Sequence, residues 1–278
     1  MVSVLLLLTV NSVESDWVSI MKVLIFQTKS EAIEKAADLI TKKVLSSPSC
    51  KLGLATGGTM EPVYERLRSQ SETLDCSGIS TFNLDEYVGL SPSHPQSYHA
   101  YMKEQLFDHF NFKLSNTHIP IGNASDPEEE AKRYESTIQT SGGIDLQLLG
   151  VGTNGHIGFN EPCSSLGSRT RLKTLTSATR DANARFFEDG ETVPRLAITM
   201  GIKTILDAKE IVVLATGANK AAACRQMIEG AVSAYWPASA LQFHPKVTVL
   251  LNEEAAADLE LRDYLETVHP EGQDAKVV

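Results

Sequence analysis

Ile144-Asp145-Leu146-Gln147-Leu148-Leu149-Gly150 is a mostly apolar run of strand length, and it passes directly into Val151-Gly152-Thr153-Asn154-Gly155-His156. A strand with so little polar face to offer water is buried on both sides, as in a parallel sheet covered by helices. The glycines that follow mark a turn. An asparagine and an imidazole therefore stand at the strand's carboxyl end. The same unit recurs along the chain. Lys22–Phe26, Lys51–Ala55, Ile79–Asn83, Leu196–Thr199, Glu210–Ala215 and Val247–Leu251 read as further strands, with a short one around His118–Ile121.

Helical signals fill the gaps between these strands. Thr28-Lys29-Ser30-Glu31 has the spacing of a capping box, and Ile33, Ala36, Ile40 and Val44 follow at helical period. A helix should start near Met60, with Pro62 tolerated in its first turn. Others are expected near Ser97–Phe107, from Asp126 to Gly142-Gly143, over Ala221–Glu229 and at the C-terminus. Thr170–Thr176 and the polar stretch after it read as irregular. Strands alternating with helices predict an α/β fold: an open, mostly parallel, doubly wound sheet with helices on both faces, Rossmann-like. Such sheets bind ligands outside the carboxyl ends of their strands. Thr56–Thr59, Asp85–Tyr87, Asn154–Glu161 and Gly217–Lys220 all follow strands. Four polar loops at one end of a sheet point to a composite site.

Bulk properties narrow the function. The 278 residues carry 42% hydrophobic and 22% charged side chains and a net charge of −10. Duplex nucleic acid and membrane surfaces need a basic face, so neither is an expected partner. A small phosphorylated ligand is compatible, because a few cations aimed into one pocket suffice. Cys50, Cys76, Cys163 and Cys224 lie far apart and lack metal or disulfide-framework spacing, as in a reducing compartment, so a cytoplasmic protein is expected, with buried or half-buried thiols. Residues 1–20 hold an apolar run, Val2–Val10, too short to span a bilayer and with no Lys or Arg before it. They read as an upstream start or dispensable extension, with a weak signal-like segment as the alternative. Residues 21–278 read as a single α/β catalytic domain, since no Pro- or Ser-rich linker divides them.

The loop Thr56-Gly57-Gly58-Thr59 has the features of an anion cradle. Glycines admit close backbone approach, and a helix N-terminus offers free N–H groups. By itself the loop is equally an ordinary strand-to-helix turn. It lacks the G-K-[ST] ending of a nucleotide loop, and no G-x-G-x-x-G is present. Lys220 and Arg185 are candidate cations for a phosphate. At the other end, Asn154–Glu161 places His156 and Glu161 in one glycine-containing loop. An imidazole passes protons both ways near neutrality, and a nearby carboxylate holds its tautomer. The pair Asp85-Glu86 after a strand reads as catalytic carboxylate or as helix cap.

Together these segments resemble glucosamine-6-phosphate deaminases. The resemblance lies in Thr56–Thr59, Phe82–Leu90 (FNLDEYVGL), Gly155–Pro162 (GHIGFNEP), Ser168–Thr170, Ala182–Phe187 (ANARFF) and Leu241–Pro245 (LQFHP), and spans about Met21 to Tyr264. It implies conversion of glucosamine 6-phosphate and water into fructose 6-phosphate and ammonia, with no metal or organic cofactor. By that pattern Asp85 is the base that moves a proton between the second and first carbons of the open sugar. His156 opens the ring, and Glu161 orients and charges the histidine. Thr56, Gly57, Gly58, Thr59, Arg185 and Lys220 grip the phosphate. Some members carry aspartate where this chain has Asn154, which orients His156 without adding charge. A lower imidazole pKa than in those members is expected.

Ser164, Ser165, Arg171, Lys173 and Tyr264 resemble the positions at which hexameric members bind the activator N-acetylglucosamine 6-phosphate. A polar surface loop is the other reading of these residues. The resemblance thus implies a homo-oligomer, a hexamer among the options. Two rival functions were weighed. A 6-phosphogluconolactonase-like hydrolase shares the fold and the glycine-threonine loop but not the F-N-E-P string. A non-catalytic sugar-phosphate sensor would need a partner or DNA-binding module for which the chain has no spare length.

Overall fold

The computed structural model describes residues 21–184, 187 and 191–269. Ten strands are present: β1 (Lys22–Phe26), β2 (Lys51–Leu54), β3 (Ser80–Asn83), β4 (Asp85–Tyr87), β5 (Thr117–His118), β6 (Leu146–Gly150), β7 (Arg171–Thr174), β8 (Leu196–Thr199), β9 (Ile211–Ala215) and β10 (Val247–Asn252). The α-helices are α1 (Lys29–Ser46), α2 (Glu61–Arg68), α3 (Tyr98–Gln105), α4 (Pro127–Thr140), α5 (Ser177–Ala184), α6 (Ile202–Leu206), α7 (Ala221–Ile228) and α8 (Arg262–Val268). The predicted capping box is formed: Thr28 accepts from the Glu31 N–H, and the Glu31 carboxylate accepts from the Thr28 N–H. Helix α4 stops where Gly142 and Gly143 take positive φ, which lets the chain reverse without a Cβ clash.

Seven strands make one parallel sheet in the order β1-β10-β9-β6-β2-β3-β5. The apolar runs explain its depth. All five residues of β9 are buried, and so are Leu148 and Leu149 of β6 and Val249, Leu250 and Leu251 of β10. Each such side chain contributes roughly 1.5–3 kcal/mol. From β2 the chain steps outward through β3 to β5. It then returns to β6, on the other side of β2, and steps outward through β9 and β10. The order reverses between β2 and β6, and a crevice forms at the carboxyl ends where such a reversal occurs. The four polar loops follow β2, β3, β6 and β9, which are contiguous in the sheet.

The structure differs from the sequence reading in one layer. Asp85–Tyr87 is not a loop but β4, and Arg171–Thr174 is not irregular but β7. With β8 they form a separate antiparallel sheet, β4-β8-β7. Leu196–Thr199 thus belongs there and not to the parallel sheet. Strand β7, Arg-Leu-Lys-Thr, is half-exposed and has no apolar face to announce it. Tyr87, Phe159, Leu175, Val193 and Ala197 form a small second core that fastens this sheet to the 154–161 loop. The expected strand at 118–121 is shorter and earlier. Cys50, Cys76 and Cys224 are buried as expected, whereas Cys163 is exposed. Among the described residues no helix is long and apolar enough to cross a membrane. Residues 1–20 lie outside the described residues.

Candidate active site

Asp85 opens β4, opposite Thr199 of β8, and is almost fully buried. Leaving the parallel sheet at Leu84 and joining the small one turns its carboxyl towards the 154–161 loop. Gly158, at φ +54°, lies against it: a Cβ there would stand 3.3 Å from Asp85 Oδ2 and 3.2 Å from Thr199 Oγ1. The Phe159 N–H donates to Thr199 Oγ1 at 3.2 Å and also favours the Asp85 carboxylate. Burial, then the adjacent Glu86 charge, push the Asp85 pKa up to about 8 against that single hydrogen bond.

Glu86, the other half of the acidic pair, faces the opposite way. Its carboxylate accepts the backbone N–H groups of Tyr87, Tyr98 and His99 at 2.8, 3.1 and 3.2 Å, and pairs with His99 Nδ1 at 3.0 Å. The helix-cap reading of the pair therefore holds for Glu86. Glu86 caps α3, and Asp85 faces the cleft.

His156 rests on Gly152, where a Cβ would fall 2.2 Å from the ring Cε1, so only glycine admits the imidazole. Its Nδ1 lies 2.6 Å from Asn154 Oδ1. Asn154 Nδ2 donates to Glu161 Oε2 at 2.7 Å. The carboxylate can only accept, which fixes the amide orientation and then the tautomer: Nδ1 carries the proton, and Nε2 is the free base. Glu161 itself is 3.7 Å from Nδ1, beyond hydrogen-bond reach, and is linked to the ring by hydrogen bonds through the amide. Desolvation, opposed by Glu161 and helped by Lys220, holds the imidazole below its usual range.

The 56–59 loop joins this region through tyrosines the sequence reading missed. Tyr98, first residue of α3, hydrogen-bonds Thr56 and lies 3.4 Å from the Tyr87 hydroxyl. Its buried phenol also feels the Asp85 charge. Tyr101, one turn on, donates to the Gly57 carbonyl at 3.2 Å. A Cβ added at Gly57 or Gly58 meets nothing within 4 Å, so the loop borders open space. Lys220 ends the turn after β9, is half-buried, and is close enough to His156 to lower its pKa. Burial likewise lowers the pKa of the lysine. Asp85 is thus next to the 154–161 loop, His156 is linked to Asn154 and close to Lys220, and the 56–59 loop is tied to α3 at the carboxyl end of the same sheet. Arg185 lies outside the described residues. No local signal marked Tyr98, because a tyrosine at a helix start is usually just packing.

The five activator candidates are dispersed. Ser164 is buried, Ser165 exposed, and Arg171 and Lys173 share a face of β7. Tyr264 is exposed on α8, which packs against β1 at the sheet's far edge. Among the described residues no three His, Cys, Asp or Glu side chains are grouped to hold a metal ion.

A buried carboxylate with a raised pKa and an amide-bound imidazole, in loops at the switch point of a parallel sheet, are the setting of proton-transfer enzymes. The chain belongs to the family described as glucosamine-6-phosphate isomerases/6-phosphogluconolactonase, which it matches over residues 26–250. Within it, the glucosamine-6-phosphate deaminase of Shewanella woodyi is 50% identical over 255 residues, 91% of this chain and 97% of that protein. That of Thermoanaerobacter pseudethanolicus is 49% identical over 239 residues, 85% of this chain and 94% of its own. The solved structure of a monomeric glucosamine-6-phosphate deaminase covers 86% of this chain and all of its own, at 48% identity and a TM-score of 0.83. A 6-phosphogluconolactonase from Trypanosoma brucei, covering 86% of this chain and 98% of its own, has a TM-score of 0.67 at 18% identity, a likeness of fold alone.

Proposed function

We propose that the protein converts glucosamine 6-phosphate and water into fructose 6-phosphate and ammonia. The reading rests on one observation above the others: the loop that carries His156 lies directly on Asp85 at Gly158, and burial raises the pKa of that carboxyl to about 8. The 56–59 loop and Lys220 grip the phosphate, with Arg185 as the second cation. Held at that tip, the sugar presents its first two carbons to the acid–base pair, and binding energy becomes orientation.

Neutral His156 takes the proton of the anomeric hydroxyl at Nε2 and returns it to the ring oxygen, which opens the ring. Asp85 then removes the proton from the second carbon while the carbonyl oxygen gains the one released by the substrate ammonium, which gives an enolamine, and Asp85 returns its proton to the first carbon. The carbon–nitrogen bond becomes an iminium at the second carbon. Water adds there and ammonia leaves, which yields the ketose. A carboxylate with a raised pKa is the stronger base for a weakly acidic C–H, and such positioned groups contribute typically ~100- to 10,000-fold.

A cytoplasmic setting suits a sugar-phosphate substrate and unpaired cysteines. Activation by N-acetylglucosamine 6-phosphate at Ser164, Ser165, Arg171, Lys173 and Tyr264 would require an oligomer, because Tyr264 stands apart from the small sheet. Sigmoidal kinetics made hyperbolic by that compound is the test. For the reaction itself, ammonia and fructose 6-phosphate are assayed in equal amounts from glucosamine 6-phosphate. Opening of 6-phosphogluconolactone without ammonia release would favour the lactonase reading, and binding without turnover the sensor.

A further inference from the structure

Glu161 is almost wholly buried, and its two oxygens accept from different parts of the chain. Oε2 accepts from Asn154 Nδ2 at 2.7 Å. Oε1 accepts from the Thr179 hydroxyl in the first turn of α5. The direction is fixed, since an ionised carboxylate has no proton to give. The Thr179 oxygen in turn accepts from the Thr176 hydroxyl at 3.1 Å. Thr176 Oγ1 accepts the Thr179 N–H at 3.2 Å, in the manner of a helix cap. A chain of donors thus converges on one carboxylate, from Thr176 and Thr179 on one side and from His156 and Asn154 on the other.

The gap between His156 Nδ1 and Glu161 Oε2 is 3.7 Å, too long for a hydrogen bond and short enough for a side-chain rotation to close. We propose that Thr179 is a positioning residue for the proton relay: from α5 it holds Glu161 turned onto Asn154 and off His156. This rests on the deaminase reading given above.

The charged groups that reach His156 are Glu161 from its own loop and Lys220 from the turn ahead of α7, and they act in opposite directions. At 3.7 Å the Glu161 charge already favours the imidazolium through space, and direct hydrogen-bonded contact would favour it more. Removing the Thr179 hydroxyl leaves Glu161 Oε1 short of a donor in a buried place, which is costly. The nearest ring donor is His156 Nδ1–H. A direct ion pair there favours the imidazolium and removes the base at neutral pH. Helix α5, which offers the sugar nothing through Thr179, then sets whether the base is ready.

Thr179→Val keeps the shape and deletes the hydroxyl, and Thr179→Ser restores it. NMR titration of the full chain, with His156 assigned by the signal lost in His156→Asn, reads the ring without substrate. His156 should titrate at higher pH in Thr179→Val and at the wild-type position in Thr179→Ser. The ratio of kcat/KM between Thr179→Val and wild type, in which the titration of Asp85 cancels, should fall by about tenfold below neutral pH and return towards one in alkali. Should Thr179→Val not fold, Thr176→Val removes the donor behind it and should shift the ring in the same direction. A His156 titration that coincides with wild type, or moves down, overturns the proposal whatever happens to turnover. Absence of ammonia from the wild type would instead defeat the deaminase reading and leave the titration to be judged by itself.

Discussion

His156 is bound to Asn154 and not to Glu161: the ring Nδ1 is 2.6 Å from the amide oxygen and 3.7 Å from the carboxylate. The hydrogen-bond partner of the ring is therefore neutral, and the Glu161 charge acts on it from 3.7 Å away. Asn154→Asp replaces that partner with a second charge, and the imidazole pKa should rise. The expected result is a histidine limb of the pH–rate profile displaced to higher pH, with activity lost mainly on the acid side. An unmoved limb would mean that Asn154 does not tune the ring.

Asp85 should cost the fold stability. Its pKa rises from an ordinary 3.8 to about 8 on folding, so the folded state holds its proton more tightly than the unfolded chain. Below pH 3.8 both states are protonated and nothing is lost. As pH climbs from there to about 8 the unfolded chain ionises first, and stability falls. Asp85→Asn removes that loss. Its Tm at pH 8 should exceed the wild type's by at least about 3 °C, with the difference vanishing near pH 4. Equal Tm at both pH values would show that the carboxyl is not desolvated.

Glu86 raises the pKa of Asp85 after burial has done so, and it caps α3. Glu86→Gln keeps an oxygen for the Tyr98 N–H and removes the charge. The limb of kcat/KM that reports Asp85 should move to lower pH, with some stability lost from the weakened cap, typically about 1 kcal/mol. Movement to higher pH would contradict the assignment.

Gly152 is there for the imidazole. With a Cβ 2.2 Å from Cε1, Gly152→Ala must displace the ring. Turnover should fall by about 100-fold, since a misplacement of this size carries such a penalty. KM should change little, because the 56–59 loop is untouched. Turnover near the wild type's would show that the ring has room to spare.

Much of this was legible in the sequence for a physical reason. Parallel strands are buried on both faces, so β1, β6, β9 and β10 are continuous apolar runs. The loops after β2, β3, β6 and β9 break those apolar patterns with polar residues and glycines, which made them visible. What escaped is what depends on tertiary context. Strand β4 is Asp-Glu-Tyr, a strand only because β8 pairs with it. Strand β7 is half-exposed and charged. Glu86 and Asp85 are neighbours with opposite roles, set by which sheet the chain has just entered. Tyr98 and Thr179 act through partners about forty and eighteen residues away, separations that no local pattern encodes.

The central claim is that Asp85 carries the proton between the sugar carbons. Ammonia release from glucosamine 6-phosphate by wild type and Asp85→Asn, with binding followed by calorimetry, tests it most directly. The account predicts bound sugar phosphate in both proteins and turnover reduced at least about 100-fold in the variant. An Asp85→Asn protein that releases ammonia at the wild-type rate would contradict it.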